Sequence, residues 1–213
     1  MNLRVVDNLV SAACAEVHAA LAEGGVLLLS GGGTPQPVHA RLAESKLPWS
    51  AITVGFADER AVPPDDPASN YAQAWQQLLR HVPAQVLRMQ GELPPAEAAR
   101  AYEAVLPKAI DLGLLGLGID GHTASLFAGD PALDEPRLAV ATSRAPVAPH
   151  ERITLTLPGL ARAERLVFLV AGAEKAQALA AIAAGQDLPA GRVRSRHGEP
   201  LWLVDRAAAS LLD

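Results

Sequence analysis

With 213 residues, 50% of them hydrophobic and 19% charged, the chain has enough apolar material for a sizeable core, which excludes a disordered protein. Its 18 Lys and Arg against 23 Asp and Glu leave a net charge of −5, and aromatics are only 4%, so neither nucleic acid nor an anionic membrane is expected as a partner. One cysteine excludes an intramolecular disulfide framework and thiolate zinc sites, and the length predicts one domain, residues 1–213.

The opening Met1-Asn2-Leu3-Arg4-Val5-Val6-Asp7 carries no signal-peptide pattern, and no apolar run is long enough to span a bilayer, so a cytoplasmic setting is expected. Residues 7–24 read as a helix, with Leu9, Val10, Ala13, Cys14, Val17 and Leu21 on one stripe and Gly24-Gly25 ending it. Cys14 on that stripe reads as a buried structural thiol. Val26 to Leu29 is a short apolar run of the kind that forms strands buried on both faces. Ser30 to Pro35 follows, then a helix through about Ser45. Residues 51–56 form a strand, 57–67 a polar segment, and the next helix runs to about Arg80. Val86-Leu87 is a strand candidate, 96–109 a helix, and 112–117 a buried strand leading into Gly118 to Gly121. Residues 138–142 and 152–157 read as shorter strands, 166–170 as a strand and 174–184 as an Ala-rich helix. Residues 201–204 are a last strand before a terminal helix, and the segments near Pro63, Pro94, Pro146 and Pro189 are loops. Strands alternating with helices imply an α/β, Rossmann-like fold: a mainly parallel sheet with helices on both faces.

In such sheets ligands sit outside the carboxyl ends of the strands. The least generic residues fall there. Gly31, Gly32 and Gly33 strip side chains from a strand-to-helix turn, so backbone N–H groups can close on an anion, with Thr34 adding a hydroxyl and the helix its positive end. The plain alternative is a tight turn; a P-loop is excluded because its Gly-Lys-Ser/Thr ending is missing. Ser30 lacks the first glycine of a nucleophile elbow, Leu28 standing in its place. Gly116 to Gly121 matches G-x-G-x-x-G, but Gly129-Asp130-Pro131 cuts short the following helix, and no acid ends the next strand candidate. Asp120-Gly121-His122 reads as a catalytic pair just past a strand, before a short helix. An imidazole titrates near about pH 6.5, which suits proton transfer, and the carboxylate can orient it. His122 could instead fill the loop, and Asp120 could serve the turn. His18, His39, His81, His150 and His197 have no such neighbours and are expected at the surface. No Cys/His cluster or H-E-x-x-H pattern appears, so no metal site is expected. Arg60, Arg152 and Lys175 are candidate anion partners. For Arg60 the alternative is a salt bridge with Asp58 or Glu59, for Arg152 an edge charge, and for Lys175 a solvated helix start.

Taken together, Ser30 to Pro35, Phe56 to Pro64, Ser69-Asn70-Tyr71, Leu114 to Phe127 and Glu151 to Thr156 resemble the 6-phosphogluconolactonase family in content, order and approximate spacing. The resemblance covers nearly the whole chain. It implies the fold shared with glucosamine-6-phosphate deaminases and ribose-5-phosphate isomerase-like proteins. It also implies hydrolysis of 6-phospho-D-glucono-1,5-lactone to 6-phosphogluconate, the second step of the oxidative pentose phosphate pathway, with no cofactor. In that reading His122 is the general base, Asp120 holds it and Arg60 stabilises the oxyanion. Gly31, Gly32, Gly33, Thr34, Arg152 and Lys175 take the phosphate, Asp58 joins them in binding the substrate, and Asn70 bonds the sugar hydroxyls, although Asn70 could simply cap a helix. Two departures are small: Gly33 stands where a serine is common and Ala128 where a proline is usual. The partner is a sugar phosphate, and the chain is expected to work as a monomer, with a weak homodimer as the alternative. An aldose–ketose isomerase or deaminase of amino sugar phosphates is the rival enzyme. A non-catalytic sugar-phosphate sensor is the other alternative, but the chain has no room for a DNA-binding segment.

Overall fold

The structure, a computed structural model, describes residues 1–212. A seven-stranded sheet runs in the order β1 (Asn2–Val5), β10 (Leu201–Val204), β9 (Ala163–Val170), β6 (Ile110–Gly116), β2 (Gly25–Leu29), β3 (Ile52–Phe56) and β5 (Gln85–Val86). All its pairings are parallel. Its runs of consecutive apolar residues bury both faces because side chains alternate across a strand. Leu27, Leu29, Leu112, Leu114, Val167 and Leu169 join a core with α1 (Leu9–Leu21), α2 (Gln36–Ala43) and α3 (Asn70–Gln77). Leu28, Leu115, Leu166, Phe168 and Val170 point the other way, toward α4 (Pro95–Val105) and α6 (Ala176–Ala183). Cys14 is buried on α1 within the first of these cores, as its stripe predicts.

The chain order sets the functional edge. From β2 the chain moves outward through β3 to β5, then returns to place β6 on the other side of β2 and moves outward again through β9 and β10. The direction reverses between β2 and β6, and a crevice opens at the carboxyl ends of strands where the order switches. The loops leaving those two strands are Ser30–Pro35 and Leu117–Thr123.

Several elements differ from the sequence reading. Asp58–Arg60 is not a loop but a strand, β4, and residues 138–142 and 152–157 do not join the main sheet. Together β4, β7 (Ala139–Thr142) and β8 (Arg152–Leu155) form a separate antiparallel sheet in the order β4-β8-β7. Ala57 is the crossover: its N–H donates to Leu29 O at 2.9 Å and its carbonyl accepts from Leu155 N at 2.8 Å, one bond to each sheet. Tyr102 completes the end of β3, where β5 is too short to pair. Its buried hydroxyl donates to Phe56 O (2.9 Å) and accepts from Phe56 N (2.8 Å). The β1 strand escapes detection because an edge strand is mostly exposed and carries no continuous apolar run. Helix α4 stops at Val105, short of the expected residue 109, because Leu106 precedes Pro107 and takes an extended conformation. Residues 206–211 form turns, not a terminal helix, and the chain after His122 also turns instead of forming a short helix. Short helices α5 (Leu157–Leu160) and α7 (Pro189–Arg192) were not foreseen. His39 is not at the surface: it is 2% exposed on α2, neither ring nitrogen has a hydrogen-bond partner, and burial pulls its pKa to about 4. No helix is long and apolar enough to cross a membrane among the described residues.

Candidate active site

A cleft of about 470 Å³ opens at the switch point, a volume typical of small-molecule sites. One wall is Ser30 to Pro35, the opposite wall runs from Gly116 to Ser125, and the antiparallel sheet supplies Asp58, Arg60 and Arg152. Lys175, past the end of β9, and Asn70, at the start of α3, complete it. All the residues singled out from sequence therefore line one cleft except Asp120, which stands behind His122.

His122 is presented by a tight loop. Gly118 N–H donates to His122 O at 2.8 Å, Gly121 adopts φ +82° and donates to Gly118 O, and Thr123 Oγ1 donates to Gly116 O at 2.8 Å. Gly121 O is tied from outside by Ala190 N–H at 3.0 Å. Asp120 Oδ1 lies 2.5 Å from His122 Nδ1. That hydrogen bond, ahead of all other influences, holds the Asp120 carboxyl down at about 2, so it stays ionised at neutral pH. An ionised Asp120 requires the proton of a neutral ring to sit on Nδ1, which leaves Nε2 with its lone pair as the basic nitrogen. Phe127 flanks the imidazole with ring centroids 4.7 Å apart. Gly118 explains the apparent dinucleotide motif: a Cβ there would sit 2.0 Å from His122 Nδ1, so the glycine seats the imidazole.

The cations of the cleft are unneutralised. Arg60 and Arg152 are directly opposite on β4 and β8, yet Asp58 and Glu59 pair with neither. Among the described residues Arg60, Arg152 and Lys175 form no salt bridge. Arg60 instead donates from Nη1 to Ala68 O at 2.6 Å. Arg152 donates from Nε to Pro149 O (2.6 Å) and from Nη2 to Val147 O (3.1 Å), holding the proline-containing segment as a further wall. Burial first, then the neighbouring Arg60, pulls Arg152 below its ordinary pKa. Positive groups gathered in one cleft with no carboxylate salt-bridged to them favour an anionic ligand.

The two acids are satisfied by neutral donors. Asp58 Oδ2 accepts from Ser125 Oγ at 2.7 Å and Oδ1 from Asn70 Nδ2 at 3.1 Å. Asn70 Nδ2 also donates to Asp58 O at 2.9 Å, and its Oδ1 is buried against Gly31, where a Cβ would be 1.8 Å away. Asn70 thus packs against the glycine loop with Asp58 holding its amide, and Ser69, not Asn70, caps α3. Gly32 takes φ +97°, a conformation that suits glycine, while Gly33 is exposed and Thr34 half-buried on the cleft.

Ser125 and the Pro146–Pro149 wall were missed from sequence. Ser125 sits in the His122 motif but bonds Asp58, 67 positions away in the chain; a proline-containing loop has no distinguishing signal. Among the described residues no group of three or more His, Cys, Asp or Glu is placed to hold a metal ion.

A family model described as glucosamine-6-phosphate isomerases/6-phosphogluconolactonase matches residues 3–202. A 6-phosphogluconolactonase of Mycobacterium tuberculosis is 38% identical over 223 residues, covering 92% of this chain and 89% of that protein. One from Rattus norvegicus is 38% identical over 203 residues, covering 86% of this chain and 79% of that protein. The crystal structure of 6-phosphogluconolactonase from Thermotoga maritima matches with a TM-score of 0.87 at 30% identity, over 96% of this chain and 99% of that one. A match spanning nearly every strand of the main sheet, together with the shared architecture, places the chain in the glucosamine-6-phosphate isomerase/6-phosphogluconolactonase family.

Proposed function

We propose that the protein is a 6-phosphogluconolactonase, hydrolysing 6-phospho-D-glucono-1,5-lactone to 6-phospho-D-gluconate in the oxidative pentose phosphate pathway. The observation that carries the reading is the sharing of one cleft by a carboxylate-oriented imidazole and three cations without carboxylate partners. A lactone with a dianionic phosphate at its far end needs both. The phosphate rests on Gly31 to Thr34 with Arg152 and Lys175, which fixes C1 beside His122. His122 Nε2 takes a proton from water as the water oxygen bonds C1. The carbonyl electrons move onto oxygen, where Arg60 offsets the charge. Collapse of this intermediate breaks the bond from C1 to the ring oxygen, and the imidazolium returns its proton to that oxygen. One water is consumed, and His122 ends as it began. The reading takes one chain as one catalytic domain and as the working unit, in the cytoplasm.

The test is a coupled assay with freshly made lactone, corrected for spontaneous opening. His122→Asn is expected to lower kcat by about 10²–10⁴-fold with little change in KM. Turnover within a few-fold of the unaltered protein removes His122 as the base. Glucosamine 6-phosphate should release no ammonia; release would favour the deaminase reading.

A further inference from the structure

Glu59 sits between two residues of the cleft, is 2% exposed, and has no place in the chemistry above. Its carboxylate is saturated. Oε1 accepts from the backbone N–H groups of Arg60 and Asn70, both at 2.7 Å. Oε2 accepts from Tyr71 N–H at 2.8 Å and from Ser69 Oγ at 3.0 Å. A carboxylate meets two donors on each oxygen, whereas the amide nitrogen of a glutamine accepts nothing; burial works against the charge and raises the Glu59 pKa, with the three backbone N–H groups opposing it. Three of the four donors lie at the start of α3, where free N–H groups and the helix dipole favour an anion. The residue just before them, Ala68, supplies the carbonyl that takes the Arg60 guanidinium at 2.6 Å. The contacts close a ring: Glu59 grips the segment from Ser69 to Tyr71, that segment presents Ala68 O, and Ala68 O aims Arg60. The same saturation explains why an acid adjacent to Arg60 does not neutralise it.

We propose that Glu59 is a positioning residue for Arg60, pinning the start of α3 so that the guanidinium is aimed into the cleft and left without a carboxylate partner. The inference rests on the hydrolytic reading and deepens it. Because Arg60 acts on charge that develops only in the transition state, misaiming it lowers kcat more than it raises KM.

The experiment is a double-mutant cycle on the full chain, with kcat and KM measured on fresh 6-phosphogluconolactone and folding followed by thermal melting. Glu59→Gln is expected to lower kcat about 10–10²-fold with KM within about threefold. In an Arg60→Ala background the same change should alter kcat by less than about twofold, because its target is gone. If Glu59→Gln does not fold, Ser69→Ala, which removes one donor from Oε2, takes its place, with a smaller kcat loss that likewise vanishes beside Arg60→Ala. Additive losses in the cycle, or a folded variant with unchanged kcat, overturn the proposal. They leave the hydrolytic reading standing if the unaltered protein is active, whereas an inactive unaltered protein overturns both.

Discussion

Gly118→Ala adds one methyl group, and the site should not tolerate it. The new Cβ would lie 2.0 Å from His122 Nδ1, 2.3 Å from Cε1 and 2.6 Å from Asp120 Oδ1, where ordinary contact begins at 3.4 Å. The imidazole must therefore retreat by more than about 1 Å and the carboxylate by somewhat less, and a displacement of that size can cost about 10²-fold in rate when it affects a reacting group. Their side chains are 31% and 45% exposed, so both can swing outward without opening a cavity in the core. Melting temperature should stay close to that of the unaltered protein. The phosphate cradle lies on the other wall, so KM should move by less than about threefold while kcat falls about 10²-fold or more. The coupled lactone assay and a thermal melt, run on the same preparation, check this. A folded Gly118→Ala protein that keeps kcat within a few-fold would refute both the seating of His122 by Gly118 and the need for its pairing with Asp120.

Other outcomes follow from individual contacts. Lys175→Ala should weaken binding of inorganic phosphate and of 6-phosphogluconate by about tenfold or more, read by calorimetry, because a charge-assisted contact contributes about 1.5–3 kcal/mol; equal affinities would remove Lys175 from the anion site. Tyr102→Phe strands the N–H and C=O of Phe56 in the core and should destabilise the fold by about 2 kcal/mol or more in urea titrations. His39 stays neutral in the folded chain down to about pH 4, whereas the unfolded chain protonates it below about pH 6.5. The unfolded state binds the extra proton in that window, so stability falls as pH falls, by about 2 kcal/mol from this group between pH 7 and pH 5. His39→Leu should flatten that slope, and urea midpoints of both proteins at the two pH values decide it; parallel slopes would exclude His39 as the source.

Elements marked by one strong physical signal are legible in the sequence. Strands β2, β6 and β9 announce themselves as apolar runs because both of their faces are covered. The glycine loop and the Asp120-Gly121-His122 turn stand out because they interrupt such runs with residues that no core needs. Weak signals failed in understandable ways. Edge strand β1 is mostly exposed, and β4, β7 and β8 are too short and mixed to reveal which sheet they join. His39 read as a surface residue because a polar side chain on a helix gives no sign of burial.

From the order of residues alone came the α/β class, the strand-end loops and the identity of the imidazole, cations and glycines that belong to them, since these depend on local periodicity and residue type. What needed the third dimension was pairing. Glu59 and Asp58 adjoin Arg60 in the chain, yet they bond α3 and Ser125 and leave the arginine unpaired. Gly118 belongs to a dinucleotide-like string, yet its missing side chain makes room for a histidine. Hydrogen bonds are short-ranged and directional, so their partners are set by where folding brings distant segments, a geometry that spacing along the chain does not contain.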